Sequence, residues 1–402
     1  MDRREGGDEK MLDLRQPPGT GGWPWLGILT LQTVGLLLVA TLVFDVVHYI
    51  LHCFARSRLR LLRRLGALHQ THHEFFNREL QFVEDLSARN LREHVLPEFL
   101  TRIAVAAAGL AVVSPLAVLL VLGIQLIQLF FVIRCKGRDS NHVAFEVLRR
   151  PTSALLVGPR YHALHHLYPD AYYSSFVTVL DGVFGTALSL KDRRIAMTGM
   201  SGAFGSALKR ILEKEGASVR GLKFGVDYTY ADYGLLDPAL EGADILVLSH
   251  GSKKEFAMQA NCDSFVAIIE RFLALQKKRR HPVEIWAVGS EIECHPAWGI
   301  PDLQVYLESK RAFAKHAYGY YRDDRFVYRH ICPSGFHSRM GWAPLPAGAA
   351  AAMAMFLIRR GFRYVPVTYT GIALLNYFKF LFCGGQAKSG VQSTPPDGVL
   401  AG

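Results

Sequence analysis

The sequence predicts two units in series. The first is an α-helical membrane domain with a histidine-box two-metal site, and the second is a Rossmann-like, doubly wound α/β parallel sheet. Three observations predict this. Long charge-free apolar runs occupy the first half of the 402-residue chain. Ten of the 16 histidines fall before residue 170, mostly in clusters. From residue 191 onward, short apolar runs alternate with amphipathic ones, beginning at a glycine-rich turn.

Residues 1–22 are rich in Gly, Asp and Arg and are expected to form a disordered tail. Leu26 to Val43 carries no charge, and Trp23 and Trp25 stand where interfacial aromatics belong. Asp45, His48 and His52 continue the same helix. Ile103 to Ile133 is longer than one crossing needs at about 1.5 Å per residue. Ser114-Pro115 interrupts it, which favours a hairpin of two shorter helices over one kinked helix. The membrane domain is placed at 23–190 and the α/β domain at 191–345. Within the latter, Ile195–Met197, Val219–Phe224, Ile245–Ser249, Ile285–Val288 and Phe326–Ile331 read as buried parallel strands. Ser206–Lys214, Asp263–Leu275 and Leu303–Tyr321 read as the helices between them. Apolar patches at Ala349–Leu357 and Tyr369–Phe382 place C-terminal membrane-associated helices at 346–385, and 386–402 is expected to be a flexible tail.

The net charge is +11 and the pI about 9.4. Basic residues flank the hydrophobic segments, as in Arg56-Arg58-Arg60, Arg63-Arg64 and Arg134-Lys136-Arg138. This positive-inside pattern predicts the cytoplasmic loops of an integral, multi-pass membrane protein. No nucleic-acid-reading motif accompanies the charge, so no nucleic-acid partner is expected. The six cysteines are scattered without a CxxC pair, which argues against a disulfide framework or a thiolate metal site.

The histidines form a pattern. His48 and His52 are four apart and share one helical face. His69, His72 and His73 form HQTHH; His162, His165 and His166 form HALHH. In each such box, positions one and four share a face and position five lies within reach, so each box is expected to present its imidazoles to one centre. His142 and His94 stand alone, and each is weighed as ligand against ordinary residue. Imidazole suits iron, zinc, copper and nickel. One zinc needs only three or four ligands; eight clustered histidines exceed that and imply a pair of ions. Two ions so held can activate O₂ against an unactivated C–H bond, while the protein orients substrate and excludes water.

Asp45–His52, His69–His73 and Tyr161–Thr186 (YHALHHLYPDAYYSSFVTVLDGVFGT) resemble the fatty acid hydroxylase/sterol desaturase superfamily over roughly residues 25–190. The resemblance implies a helical membrane domain with two Fe ions in an active site facing the cytoplasm, acting on a lipid substrate with O₂ and supplied electrons. The positions matching the family's ligands are His48, His52, His69, His72, His73, His162, His165 and His166, with His142 added. The family usually has about four crossing helices, whereas two or three runs are evident in this sequence.

After Ile195-Ala196-Met197 comes Thr198-Gly199-Met200-Ser201-Gly202-Ala203-Phe204-Gly205 and then a helix. A GxxGxxG turn between strand and helix lets the backbone approach a pyrophosphate, which the helix N-terminus favours. Thr198, Gly199, Gly202, Phe204, Gly205 and, further on, Gly251 are the candidate cofactor-binding residues. Tyr306 and Lys310 form a YxxxK pair facing the same way on a helix. A nearby ammonium is expected to lower the tyrosine pKa and make it a usable acid or base. The second strand carries Arg220 and Lys223 and no acid, which predicts NADP over NAD.

The glycine turn, the YxxxK pair and the strand carrying Ser290 together resemble the short-chain dehydrogenase/reductase family over about residues 193–345. That resemblance implies Tyr306 as proton donor and Lys310 as the residue that holds the ribose and tunes Tyr306. Ser290 would steady a substrate carbonyl, and Asn261 would complete the relay. Cys332-Pro333-Ser334-Gly335 matches the turn beside the nicotinamide, and Ser249-His250-Gly251 the family's Asn-Ala-Gly strand end. Two departures are present: Ser290 lies three residues further from the tyrosine than usual, with Glu293 at the usual spacing, and His250 replaces a small residue.

The two resemblances together imply a bifunctional sterol desaturase-like/short-chain dehydrogenase chain of lipid metabolism. It would hydroxylate or desaturate an acyl or sterol-like lipid and interconvert alcohol and carbonyl with NADP or NAD. Hydride moves two electrons at once and no flavin or haem motif splits them, so an external ferredoxin or b-type cytochrome is the expected electron donor. Two rival readings exist. One is an aldehyde-to-alkane enzyme of the plant wax type, which also joins a His-box domain to a reductase-like region. The other is a chain in which one domain is only a scaffold.

Overall fold

The computed structural model describes residues 23–143, 155–254, 256–276, 282–298, 300–323, 325–338 and 341–382. The two expected tails, 1–22 and 386–402, lie outside these. The chain divides into two compact units, Met1–Ser189 and Leu190–Gly402.

In the first unit, α1 (Trp23–Ala55) is followed by α2 (Arg60–Phe75), α3 (Glu84–Ala111) and α4 (Pro115–Arg134), then two short helices, α5 (Pro159–Leu167) and α6 (Val179–Phe184). By length and composition, α1, α3 and α4 could each cross a membrane. Helix α1 has 33 residues, about 50 Å at 1.5 Å each, against a hydrocarbon core of about 30 Å. A crossing begun at Trp25 is complete near Asp45, so His48 and His52 occupy the last turns, past the apolar run.

Ser114-Pro115 makes the expected hairpin. Helix α3 stops at Ala111, and the Ser114 hydroxyl caps α4 by accepting the Ala117 N–H at 3.3 Å. Pro115 opens α4, where its missing N–H costs nothing. Helix α3 starts well before the expected Ile103, because its first turns carry charges (Arg89, Glu93, Glu98) that hide it from an apolar scan. Leu36, Ala106, Val118 and Val121 pack α1, α3 and α4 together. Gly66 sets α2 directly against α1: a Cβ there would lie 2.3 Å from the Ala55 nitrogen.

The second unit is a six-stranded, all-parallel sheet in the order β2-β1-β3-β4-β5-β6. The strands are β1 Arg194–Thr198, β2 Ser218–Leu222, β3 Ile245–Leu248, β4 Glu284–Val288, β5 Val327–Pro333 and β6 Tyr364–Val367. The helices are α7 Ala203–Lys214, α8 Asp237–Glu241, α9 Ser264–Leu275, α10 Pro301–Arg322, α11 Ala347–Arg359 and α12 Ile372–Phe382. Leu246, Ile285, Phe265, Phe272 and Phe313 are fully buried in its core, each stabilising by about 1.5–3 kcal/mol. The chain leaves β1 toward β2 on one side and β3 on the other. The crevice at the carboxyl ends of β1 and β3 is therefore the topological switch point.

One expectation is corrected. The stretch read as membrane-associated helices at 346–385 includes β6, which pairs with β5, and α11, which packs on α7 and β6. Helix α11 buries Ala350, Ala354, Met355 and Ile358. These residues are apolar because they complete the α/β core; a short apolar run reads the same whether sheet or bilayer covers it. Helix α12 leaves Leu374, Leu375 and Phe378 exposed.

Candidate metal centre and dinucleotide cleft

All nine histidines expected as ligands converge, in two groups. His48, His52, His69, His73 and His165 form one; His72, His142, His162 and His166 form the other. In the first, His48 Nε2 lies 3.0 Å from His165 Nε2, and His73 Nε2 lies 3.2 Å from both His52 Nε2 and His69 Nε2. In the second, His142 Nε2 lies 2.9 Å from His162 Nε2 and 3.2 Å from His166 Nε2.

The expectation that each HxxHH box serves one centre is corrected. His69 and His73, one helical turn apart, enter the first group, while His72 points to the second. His162 and His166 enter the second, while His165 crosses to the first. Residues i and i+4 align along a helix and i+3 is rotated away from them, so each box straddles both positions.

The donor set fits metal ions. Four of the outer nitrogens are held by the protein, whereas those of His162 and His166 are buried without a partner among the described residues: His48 Nδ1 faces the Tyr173 carbonyl at 3.0 Å, and His165 Nδ1 the Ala171 carbonyl at 2.8 Å. Asp139 holds His142 Nδ1 at 2.7 Å, and Asn90 Oδ1 holds His72 Nδ1 at 3.3 Å. Such contacts fix the tautomer and aim the bare Nε2 inward. Burial holds His69, His72, His73 and His166 neutral, their pKa values well below that of free imidazole, and His165 falls to about 4. With the protons of His48 and His165 on the outer nitrogens, their facing Nε2 lone pairs repel each other, which favours a cation between them. Two nitrogens at right angles about an ion, each about 2.1 Å away, would stand about 3.0 Å apart, the spacing seen here.

Residues beyond the boxes complete the wall. Asp181 accepts from Tyr161 at 2.8 Å, from the Tyr173 and Ser174 amides at 2.9 Å each, and from Thr186, which folds the 161–186 segment around its histidines. Asp45 accepts the Ser175 amide at 3.0 Å and ties that segment to α1. His94 is buried: its Nδ1 lies 3.1 Å from His69 Nδ1 and its ring stacks on His72 at 3.9 Å, but it belongs to neither group. A π turn at Leu91–Val95 places it there, and no sequence pattern announces a π turn. Asp139, three residues before His142, was a visible signal that the sequence reading did not use.

In the second unit the glycine turn follows β1. Gly199 has φ +67°, and a Cβ there would lie 2.4 Å from the His250 nitrogen. A Cβ on Gly205 would lie 2.2 Å from the Gly199 carbonyl oxygen. Gly202 precedes the first residue of α7, and Phe204 packs near Phe336. His250 is no passive replacement: its ring bridges Thr198 Oγ1 and Ser264 Oγ at 2.7 Å each. Arg220 lies exposed on β2, and Lys223 follows that strand.

Tyr306, Lys310 and Ser290 are brought together. Ser290 stands close enough to the Tyr306 phenol to lower its pKa, and Lys310 Nζ lies 5.9 Å from the Tyr306 ring centre. Lys310 donates to the Val288 carbonyl at 2.9 Å. Asn261, on a second π turn, Gln259–Asp263, donates to the Ser252 carbonyl and to Ser309 Oγ at 2.6 and 2.9 Å. A Cβ on Gly251 would lie 2.6 Å from Asn261 Oδ1. The expected lowering of the tyrosine pKa is corrected. Burial raises Tyr306 to about 12, opposed by Ser290, and burial lowers Lys310 to about 8. Desolvation outweighs the ammonium, which is turned toward a backbone carbonyl.

Residues 36–186 match the family model described as fatty acid hydroxylase. The chain is 28% identical over 267 residues, 58% of its length, to monoglucosyldiacylglycerol epimerase of Synechocystis sp.. It spans 64% of the length of that relative. Among solved structures it is similar to a short chain dehydrogenase from Burkholderia cenocepacia in complex with NADP, at 14% identity and TM-score 0.42, covering 49% of this chain and 96% of that one. It is also similar to a short chain dehydrogenase/reductase from Burkholderia phymatum in complex with NAD, at 14% identity and TM-score 0.39, covering 53% and 100%. The chain thus carries, at residues 36–186, a region that matches the fatty acid hydroxylase family model, followed by a parallel α/β unit.

Proposed function

We propose that this chain is a multi-pass membrane lipid oxidoreductase in which two irons oxidise a lipid and a nicotinamide-dependent α/β unit interconverts alcohol and carbonyl. The observation that supports it most is the convergence of nine imidazoles in two groups. His48, His52, His69, His73 and His165 would hold one ion and His72, His142, His162 and His166 the other. Two irons so held supply O₂-dependent hydroxylation or desaturation of an acyl or sterol-like chain, with electrons from an external ferredoxin or b-type cytochrome. The protein buries most of these imidazoles and fixes the outer nitrogens of His48, His72, His142 and His165.

In the second unit, Thr198, Gly199, Gly202 and Gly205 would cradle the pyrophosphate of NADP, with Arg220 and Lys223 favouring its extra phosphate. The nicotinamide supplies or accepts the hydride. Tyr306 gives a proton to the carbonyl oxygen, Ser290 orients that oxygen, and Lys310 holds positive charge beside them. With its pKa near 12, Tyr306 is suited to donate a proton, which is the reductive direction.

Metal analysis with Mössbauer spectroscopy on detergent-purified protein tests the first half. Close to two spin-coupled irons per chain, lost in His162→Ala/His165→Ala, is expected; zinc alone would overturn it. Tighter binding of NAD than NADP would overturn the cofactor preference.

The epimerase relative motivates a second reading. A sugar carbinol can be inverted by removing hydride to NADP and the hydroxyl proton to Tyr306, then returning both with hydride on the opposite face. That cycle is redox-neutral and draws no electrons from outside. Incubation with monoglucosyldiacylglycerol and NADP, with NMR of the headgroup sugar, decides it: an epimeric sugar lost in Tyr306→Phe supports this reading, and an unchanged sugar excludes it.

A further inference from the structure

Glu293 occupies the spacing at which the usual serine would stand, and the structure gives it a different task. Ser290 begins the short turn Glu291–Cys294, and its backbone N–H donates to Glu293 Oε1 at 2.7 Å. The other carboxylate oxygen, Oε2, lies 3.1 Å from His330 Nε2 on β5. His330 Nδ1 in turn lies 3.2 Å from the Tyr328 hydroxyl. Both Glu293 and His330 are buried. A polar pair at this depth is costly unless its hydrogen-bonding geometry is well satisfied. Here the backbone makes room for it: a Cβ on Gly289 would stand 2.3 Å from Glu293 Oε1 and 2.5 Å from His330 Nε2. The glycine that ends β4 is therefore the space the pair occupies.

The pair lies directly behind the reacting groups. The Ser290 hydroxyl accepts the Ile292 N–H at 3.4 Å, which closes a capping box with Glu293, and Ser290 stands beside the Tyr306 phenol. The Glu293 contact is to the Ser290 backbone, so it determines where the serine hydroxyl stands without itself reaching a substrate. We propose that Glu293 and His330 are positioning residues that hold Ser290 against Tyr306, a buried carboxylate–imidazole pair built into the floor of the cleft. This rests on the reading of the second unit as a nicotinamide-dependent reductase.

The test uses the full chain in detergent with NADPH and dodecanal as probe, measuring kcat, KM and NADPH affinity. Glu293→Ala lowers kcat about tenfold to a hundredfold, the usual cost of a misplaced group, with KM and NADPH affinity little changed. Glu293→Gln, which keeps an oxygen for the Ser290 amide, recovers most of that loss and excludes simple misfolding. The Glu293→Ala/Ser290→Ala double variant is no slower than Ser290→Ala, because the first residue acts through the second. Losses that multiply instead, or an unchanged kcat in Glu293→Ala, overturn the proposal. A wild-type chain that oxidises no NADPH with the probe, or a Tyr306→Phe variant as fast as wild type, overturns the reductase reading itself.

Discussion

The two candidate sites solve opposite problems. The histidine centre is assembled from separate segments, α1, α2, α5 and the loop carrying His142, and every candidate ligand is the same group, an imidazole. The α/β cleft stands on strand ends and one helix, with a phenol, an ammonium, a hydroxyl and a carboxylate, each in a different state. In the first, burial depresses the pKa values of most of the imidazoles, and under the proposed reading an ion would complete the site. In the second, burial pushes Tyr306 up and Lys310 down, and local partners trim the result. Desolvation dominates both sites, but under the proposed reading only the first depends on an ion for its own integrity. Both helices flanking these sites carry a π turn, at Leu91–Val95 and at Gln259–Asp263, which re-aims His94 and Asn261.

The largest expected effect follows from that dependence. His166→Ala removes one ligand of the second group, and lipid oxidation should fall to background with loss of bound iron, while nucleotide binding by the second unit is unchanged. Iron retained in full would break the comparison. Asp139→Asn leaves the ligands in place but weakens the hold on His142. Metal affinity should fall about 10–100-fold, read by competition with a chelator.

In the second unit the comparable lesion is steric. Gly199→Ala adds a Cβ at φ +67° and 2.4 Å from a backbone nitrogen, costing about 1–3 kcal/mol. A lower Tm and weakened NADP binding are expected, with iron content untouched.

The smallest effect is a pH trend. Lys310 titrates at about 8 when folded against 10.5 for the free side chain. Between those values the unfolded chain binds a proton that the folded one does not, so stability rises with pH across this window. The Lys310 contribution is complete above about 10.5 and lost as pH falls through about 8. Hydride transfer should run the other way, falling above about 8 as the ammonium is lost. Denaturant titrations and rates across this range should diverge, and Lys310→Met should remove both trends.

Much was legible before any coordinates. The nine imidazoles, the hairpin at Ser114-Pro115, the glycine turn and the YxxxK pair are local patterns whose chemistry does not depend on distant residues. They suffice to name two units, their order and their candidate ligands. Which ion position each histidine serves was decided by tertiary structure, because helical rotation separates His72 from His69 and His73. The same holds for β6: Tyr364–Val367 is apolar in sequence, and only pairing with β5 distinguishes a core strand from a membrane segment. Asp139, His94, Glu293 and His330 acquire their roles from neighbours that the fold supplies. A buried polar group is defined by what stands opposite it, and that partner is a property of the folded chain.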